Sequence, residues 1–271
     1  MNINLDHYLI SAPAEFSISQ YDANAPEWQN LDKASVKKEM KALNHKLESL
    51  QEKFYAENKH KLLIILQGMD ASGKDGTVRH VFEGVNPQGV KVISFKKPSE
   101  VELAHDYLWR IHQQVPKLGQ IVIFNRSQYE DVLIVRVKHM VEDAVWKKRY
   151  DQINAFEKML ADEGVTILKF FLHISKDEQK SRLLERLDDP EKHWKFNPAD
   201  LKERARWDEY MLAYQDVIKK NSTPWAPWVI VPANHKWVRN MIVAHHIVDT
   251  LHNLHITLPE IEFPDEVYHF E

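Results

Sequence analysis

The sequence predicts an α/β chain built on a doubly wound, mostly parallel sheet of five strands flanked by helices. Three observations carry that reading. Short apolar runs of strand length alternate with longer segments of helical period, the order expected of successive βαβ units. The first run, Leu62-Leu63-Ile64-Ile65-Leu66, feeds into a glycine-bearing loop and then a helix start. Charged and polar residues follow three of the runs, where the carboxyl ends of parallel strands gather functional side chains.

Residues 1–30, with Pro13, Pro26 and no clear period, read as an extended arm lying on the domain. From Leu31 to about Asn58, Met40, Leu43, Leu47, Leu50 and Phe54 recur at steps of three and four among Lys and Glu. That is a long amphipathic helix. Its stripe packs on the sheet or meets a partner helix, so self-association as a homo-oligomer is an expectation. After the first strand and its loop, Val90 to Phe95 supplies a second strand ending in Lys96-Lys97-Pro98. Ser99 and Glu102 have capping-box spacing and open a helix through Leu103, Tyr107, Leu108 and Ile111. Strand three is Ile121 to Phe124, and a further helix runs from about Val141 to Glu163, where Gly164 stops it. Val165 to Ile174 and Val229 to Val231 are strands four and five.

Between those last strands lies an arginine-rich helical excursion. Ser175 and Glu178 form a second capping box, and a helix continues through Arg182, Leu183, Arg186 and Leu187. It breaks at Asp188-Asp189-Pro190, and Asn197 with Pro198 starts another. One domain over residues 1–271 is expected: arm and long helix to 58, core at 59–174 and 222–271, and a lid region at 175–221.

Composition narrows the function classes. Lys plus Arg number 36 and Asp plus Glu 40, a net charge of −4, where a protein that coats nucleic acid would carry a basic excess. Positive charge for a polyanion must therefore be local, and the acidic tail with Glu260, Glu262, Asp265, Glu266 and Glu271 leaves much of it mid-chain. Cysteine is absent, which excludes disulfides and thiolate metal sites and permits a reducing compartment. The first residues lack the basic and apolar regions of a leader, and no segment reaches about 18 uninterrupted apolar residues. A cytoplasmic protein without membrane contact is the expectation.

Residues Gly68 to Thr77 match G-x-x-x-x-G-K, the phosphate-cradling loop whose backbone N–H groups and lysine neutralise anions at a helix start. Gly68, Ala71, Ser72, Gly73, Lys74, Asp75 and Gly76 are its candidate phosphate-binding residues. Two acids depart from the usual form. Asp75 stands where Ser or Thr commonly contacts Mg²⁺; it holds metal through water or caps the helix. Asp70, inside the cradle, would repel phosphate unless a metal lies between them or it takes a proton from the attacking group; the bland alternative is a turn former. After strand three, Asn125 stands where many phosphate-loop enzymes have Asp, and Arg126 offers a guanidinium to a transferring phosphate. Glu130 and Asp131 orient nucleotide or metal, or pair with Arg126 and cap a helix. Arg182 and Arg186 share a helix face, as a solvated face or as a lid that closes over phosphate. Lys96, Lys97 and Lys192 are further candidates for the anion path. His245, His246, His252 and His255 lack the arrangement of a metal site.

Gly68 to Gly76, Phe124-Asn125-Arg126-Ser127 with Tyr129-Glu130-Asp131, and Pro232-Ala233-Asn234-His235-Lys236 together resemble polyphosphate kinase family 2. Asn125 with the Glu130-Asp131 pair is similar to its class III branch. The resemblance implies a P-loop kinase-like fold and transfer of a terminal phosphoryl group from inorganic polyphosphate to AMP and ADP, with Mg²⁺ or Mn²⁺ required. It implies that Asp70 holds metal, that Lys74, Arg126 and the lid residue Arg182 neutralise the moving group, and that Asn125, Glu130 and Asp131 position nucleotide and metal. The rival readings are an ATP-dependent nucleoside monophosphate kinase, disfavoured by the missing Ser/Thr after Lys74, and a nucleotide sensor without turnover.

Overall fold

The computed structural model describes residues 5–28 and 30–260. Residues 1–4, where no leader is expected, and the acids Glu262, Asp265, Glu266 and Glu271 lie outside the described residues. Helix α1 (Lys33–Glu57) starts at Asp32, whose carboxylate accepts from Ser35 N at 2.8 Å, and stops at Asn58 in the left-handed conformation that Asn tolerates. Its stripe of Val36, Leu43, Leu47 and Phe54 is buried, and the helix lies along the helix Lys236–Asn253. The apolar face that suggested a partner helix is thus used inside the chain.

Strands β1 (Lys61–Gln67), β2 (Val90–Ser94), β3 (Gln120–Asn125), β4 (Val165–His173) and β5 (Trp228–Pro232) form one wholly parallel sheet, ordered β2-β3-β1-β4-β5. β1, β3 and β5 are buried almost throughout, which is why they read as unbroken apolar runs rather than alternating ones. The chain leaves β1 towards β2 and leaves β3 towards β4. The carboxyl ends of β1 and β3 therefore frame the switch-point crevice where ligands bind in such sheets. Leu66 stands opposite Asn125 in register, so the two loops that follow face each other.

The connecting helices are α2 (Lys74–Val81), α3 (Glu100–Leu103), α4 (Trp109–His112), α5 (Ile134–Val137), α6 (Asp143–Asp162), α7 (Lys176–Asp188), α8 (Ala199–Ala205), α9 (Trp207–Asn221) and α10 (Lys236–Asn253). Two expectations change here. The helix expected from Ser99 to Ile111 is two single turns, because Asp106 accepts from Leu108 N and Trp109 N at 2.9 and 3.1 Å and starts a new turn. The Ser99–Glu102 capping box itself is present. At the second box only half forms: Ser175 Oγ accepts from Glu178 N, while Glu178 turns to Arg182.

The excursion at 175–221 divides in two. α7 inserts Leu183 and α9 inserts Ala213, Tyr214, Val217 and Ile218 into the core, whereas nothing in the 3₁₀ turn Pro190–Lys195 or in α8 is buried. The arm covers the β5 edge: Leu9 bridges Val229, and Ile10 N donates to Trp228 O at 2.9 Å. No helix among the described residues is long and apolar enough to cross a membrane.

Candidate active site

At the end of β1 the chain turns sharply, with Ala71 and Gly73 at φ 63° and 102°. Gly73 has no alternative: a Cβ there would lie 1.8 Å from Arg239 Nη1, besides the strain of its φ. Lys74 opens α2 with 9 % of its surface exposed, and its Nζ donates to Gly68 O at 2.7 Å and Met69 O at 3.2 Å. Burial, with Arg126 adding, lowers its pKa to about 8; Asp70, Glu130 and Asp75 oppose the shift.

Across the crevice, β3 ends at Asn125, whose Nδ2 donates to Asp75 Oδ1 at 2.5 Å. Asp75 therefore pairs with the opposite loop. Arg126 follows at φ 65°, a conformation rare for a non-glycine residue, held by its N donating to Leu66 O at 3.1 Å. That turn aims its guanidinium at Asp70: Nη2 to Oδ1 is 2.7 Å. Burial alone would lower the Arg126 pKa, but Glu130 and Asp70 more than offset it and raise it.

A buried network fixes the next turn. Tyr129 Oη and Gln128 Nε2 donate to Glu157 Oε1 at 2.7 and 2.9 Å. Lys169 Nζ donates to Glu157 Oε2 at 2.6 Å and to Tyr129 Oη at 2.9 Å, both charges lying at 0 % exposure. Glu130, the next residue, faces the cleft. Asp131 does not join it. Its Oδ1 accepts from Arg149 Nη1 at 2.9 Å, and burial, opposed by Arg149, raises its pKa to about 6.

The cleft itself is framed by Gly68, Met69, Asp70, Arg126 and Glu130 below, with Ile134 and Lys138 beside them. Asn197, Ala199, Asp200 and Glu203 of the excursion, with Tyr210 and Tyr214 of α9, form the opposite wall. Glu203 pairs with Lys138 and accepts from Tyr210 Oη at 2.6 Å, so the excursion is tied to the body here. Burial, then Asp70, raises the Asp200 pKa to about 6 while Arg186 opposes.

Several expected contacts are corrected. Arg182 does not reach the cleft. Its Nη1 donates to Ala71 O and Ser72 O, its Nη2 to Ala233 O and Asn234 O, and its Nε to Glu178, so it props the loop from the protein side. The packing of α7 turns its arginine face inward there, and Gln179 joins by donating to Asp70 O at 3.0 Å. Lys192 is held by Glu185 and Asp189 on the excursion's own surface. Arg186 bonds Lys195 O and Asp200. Lys96 and Lys97 are exposed at the end of β2 and do not line the cleft. Sequence reasoning missed Lys138, Glu203, Tyr214 and Arg239. Only Arg239 left a signal: a guanidinium among the buried apolar residues of α10.

The family model for polyphosphate kinase 2 (PPK2) matches residues 30–258. The chain is 54 % identical to the AMP/ADP-polyphosphate phosphotransferase of Meiothermus ruber, covering 96 % of this chain and 97 % of that one. It is 48 % identical to the ADP-polyphosphate phosphotransferase of Rhodopseudomonas palustris, with 79 % and 78 % covered. The crystal structure of polyphosphate kinase 2 from Arthrobacter aurescens TC1 superposes with a TM-score of 0.88 at 45 % identity, over 94 % of both chains. A family model that spans β1 through α10, and a matching fold at that identity, agree with the crevice built above: the chain belongs to the polyphosphate kinase 2 family.

Proposed function

We propose that this protein transfers the terminal phosphoryl group of inorganic polyphosphate to AMP and ADP, reversibly in principle. The single observation that carries the proposal is the Asp70–Arg126 pair at the mouth of the phosphate loop, 2.7 Å apart across the switch-point crevice. It sets an acid and a guanidinium where a phosphoryl group would pass between two anions. The names of the Meiothermus ruber and Rhodopseudomonas palustris relatives support the donor and the acceptors.

Phosphoryl transfer is mostly positioning and charge neutralisation. The amides of Ala71 to Gly76 would hold phosphate, Lys74 would leave its two carbonyls to meet it, and Arg126 would follow the moving group. Asn125 holds Asp75 and so keeps the two loops in register. Asp70, Glu130, Asp200 and Glu203 line the cleft beside Arg126 and Lys138, an acidic balance that suits a polyanion only with a cation beside it. Mg²⁺ is commonly held by one or two carboxylates together with substrate phosphates and water. Among the described residues no three ligating groups converge, but Asp70 and Glu130 both line the cleft and, with substrate phosphates, would hold Mg²⁺ or Mn²⁺, which supplies charge neutralisation when bound. The proposed lid is narrower than 175–221: residues 189–206, none of them buried, would move on release of the Glu203–Lys138 pair while α7 and α9 stay anchored in the body.

The test is an incubation of purified protein with Mg²⁺ and AMP, with polyphosphate in one sample and ATP in another. ADP and then ATP are expected in the first, and EDTA should stop their formation. ADP from the ATP sample alone would mark a nucleoside monophosphate kinase. No product from either, with AMP bound, would mark a sensor.

A further inference from the structure

Arg239 stands in the first turn of α10 with 2 % of its surface exposed. Its Nη1 donates to Ser72 O at 3.2 Å, and its Nε and Nη2 donate to Asn240 Oδ1 at 3.1 and 2.9 Å. Both acceptors are neutral. The neighbouring Arg182 has Glu178 at 2.8 Å, but among the described residues no carboxylate pairs with Arg239. A buried guanidinium without a counter-charge is costly, and two side by side are costlier. Burial, with Arg182 adding, accordingly lowers the Arg239 pKa to about 9.

Its position points to what offsets that cost. The guanidinium lies against the loop backbone on both sides of Lys74: a Cβ on Gly73 would meet Nη1 at 1.8 Å, and one on Gly76 would meet Nη2 at 3.3 Å. Neither Arg239 nor Ala71 to Gly76 lines the cleft; Arg239 meets the loop at the Ser72 carbonyl, so its charge would act on an anion at the loop through that backbone. In this low-dielectric floor an unscreened charge acts over longer range than one in water.

We infer that the counter-charge of Arg239 is the phosphate held by the loop, which makes Arg239 a positioning residue that sets phosphate affinity through the backbone of the cradle. The inference rests on reading Gly68 to Gly76 as a phosphate site, and it adds that the site's positive charge is supplied from the α10 side as well as by Lys74. Because its hydrogen bonds go to the Ser72 carbonyl and to Asn240, removal of Arg239 would weaken ground state and transition state alike and raise KM more than it lowers kcat.

The experiment titrates sodium tripolyphosphate into the full-length parent and into the Arg239→Met and Arg239→Lys variants by calorimetry, at low and at moderate ionic strength. Circular dichroism serves as the fold control, and KM and kcat with polyphosphate are measured alongside. Arg239→Met should bind tripolyphosphate about ten-fold or more weakly and show a shallower salt dependence. Arg239→Lys, measured at about pH 6 so that a buried ammonium stays protonated, should stay within about three-fold of the parent. Parental affinity in Arg239→Met, or a loss in Arg239→Lys as large as in Arg239→Met, overturns the inference. If Arg239→Met does not fold, Arg239→Lys decides alone, and a loss beyond about ten-fold refutes a role through charge. A parent that binds tripolyphosphate but transfers nothing refutes the proposed function and not this inference; a parent that transfers while Arg239→Met binds normally refutes only the inference.

Discussion

Asp70 sits inside an anion cradle and yet pairs with a cation, and the magnitudes separate its structural and chemical roles. The Asp70 and Arg126 side chains are 20 % and 39 % exposed, so their pair lies in the range of about 0–1 kcal/mol typical of solvent-screened bridges. Losing it hardly touches the fold. Asp70→Asn keeps the shape and removes the charge, so we expect an unchanged thermal midpoint and a fall in kcat of about 100-fold or more. A rate near the parent's would reduce Asp70 to a turn former. Lys74 provides a second residue-level outcome. Its pKa is lowered to about 8 in the free protein, so the ammonium is present below that pH and lost above it. The profile of kcat/KM, which reports the free enzyme, should therefore fall as pH rises through about 8. A flat profile to pH 10 would show that Lys74 stays protonated or that its charge is not used.

At the scale of elements, the turn carrying Glu130 depends on a buried pair far from the cleft surface. Glu157 on α6 and Lys169 on β4 are both fully buried, and Tyr129 and Gln128 hang from them. Breaking one side of such a pair leaves an uncompensated charge and costs about 3–5 kcal/mol. Lys169→Met should lose about that much in urea unfolding. Adding Glu157→Gln should recover part of it, because a neutral amide tolerates burial better than a stranded carboxylate. Activity measured at a temperature where the single variant is folded should also fall, since Glu130 follows Tyr129 directly. The excursion behaves differently. No residue of the 3₁₀ turn Pro190–Lys195 or of α8 is buried, and polar contacts such as Glu203 with Lys138 hold α8 to the body.

At the scale of the whole molecule, the arm joins the far edge of the sheet to the loop. Asn234 N donates to Ala23 O, Asn234 Nδ2 to Asn24 Oδ1, and Asn234 O accepts from Arg182, which in turn holds Ala71 O. Trp28 anchors that arm: it is 3 % exposed, its Nε1 donates to Tyr8 Oη at 2.7 Å, and its ring meets Trp237 edge-on at 6.0 Å. Trp28→Ala should cost about 3–5 kcal/mol, a large share of a typical domain's stability, and lower the thermal midpoint accordingly. An unchanged midpoint would mean that the arm is an ornament on an independently stable body.

The parallel sheet and the loop were legible because both are local in sequence. A buried parallel strand must be an apolar run, and a phosphate loop must carry its glycines and lysine within a few positions of that strand's end. Asp70 was visible for the same reason. What only the tertiary structure decided is the direction of long polar side chains brought together from distant positions. Arg126 meets Asp70 across 56 residues and Asn125 meets Asp75 across 50. Arg182 and Lys192 both read as cations of one lid, yet packing turned the first inward under the loop and left the second outside with its own acids. Arg239 reaches Ser72 across 167 residues. Helical spacing says which residues share a face. The rotation of that face against the body is set by how apolar neighbours pack, and it settles whether an arginine meets phosphate directly or supports the backbone that holds it.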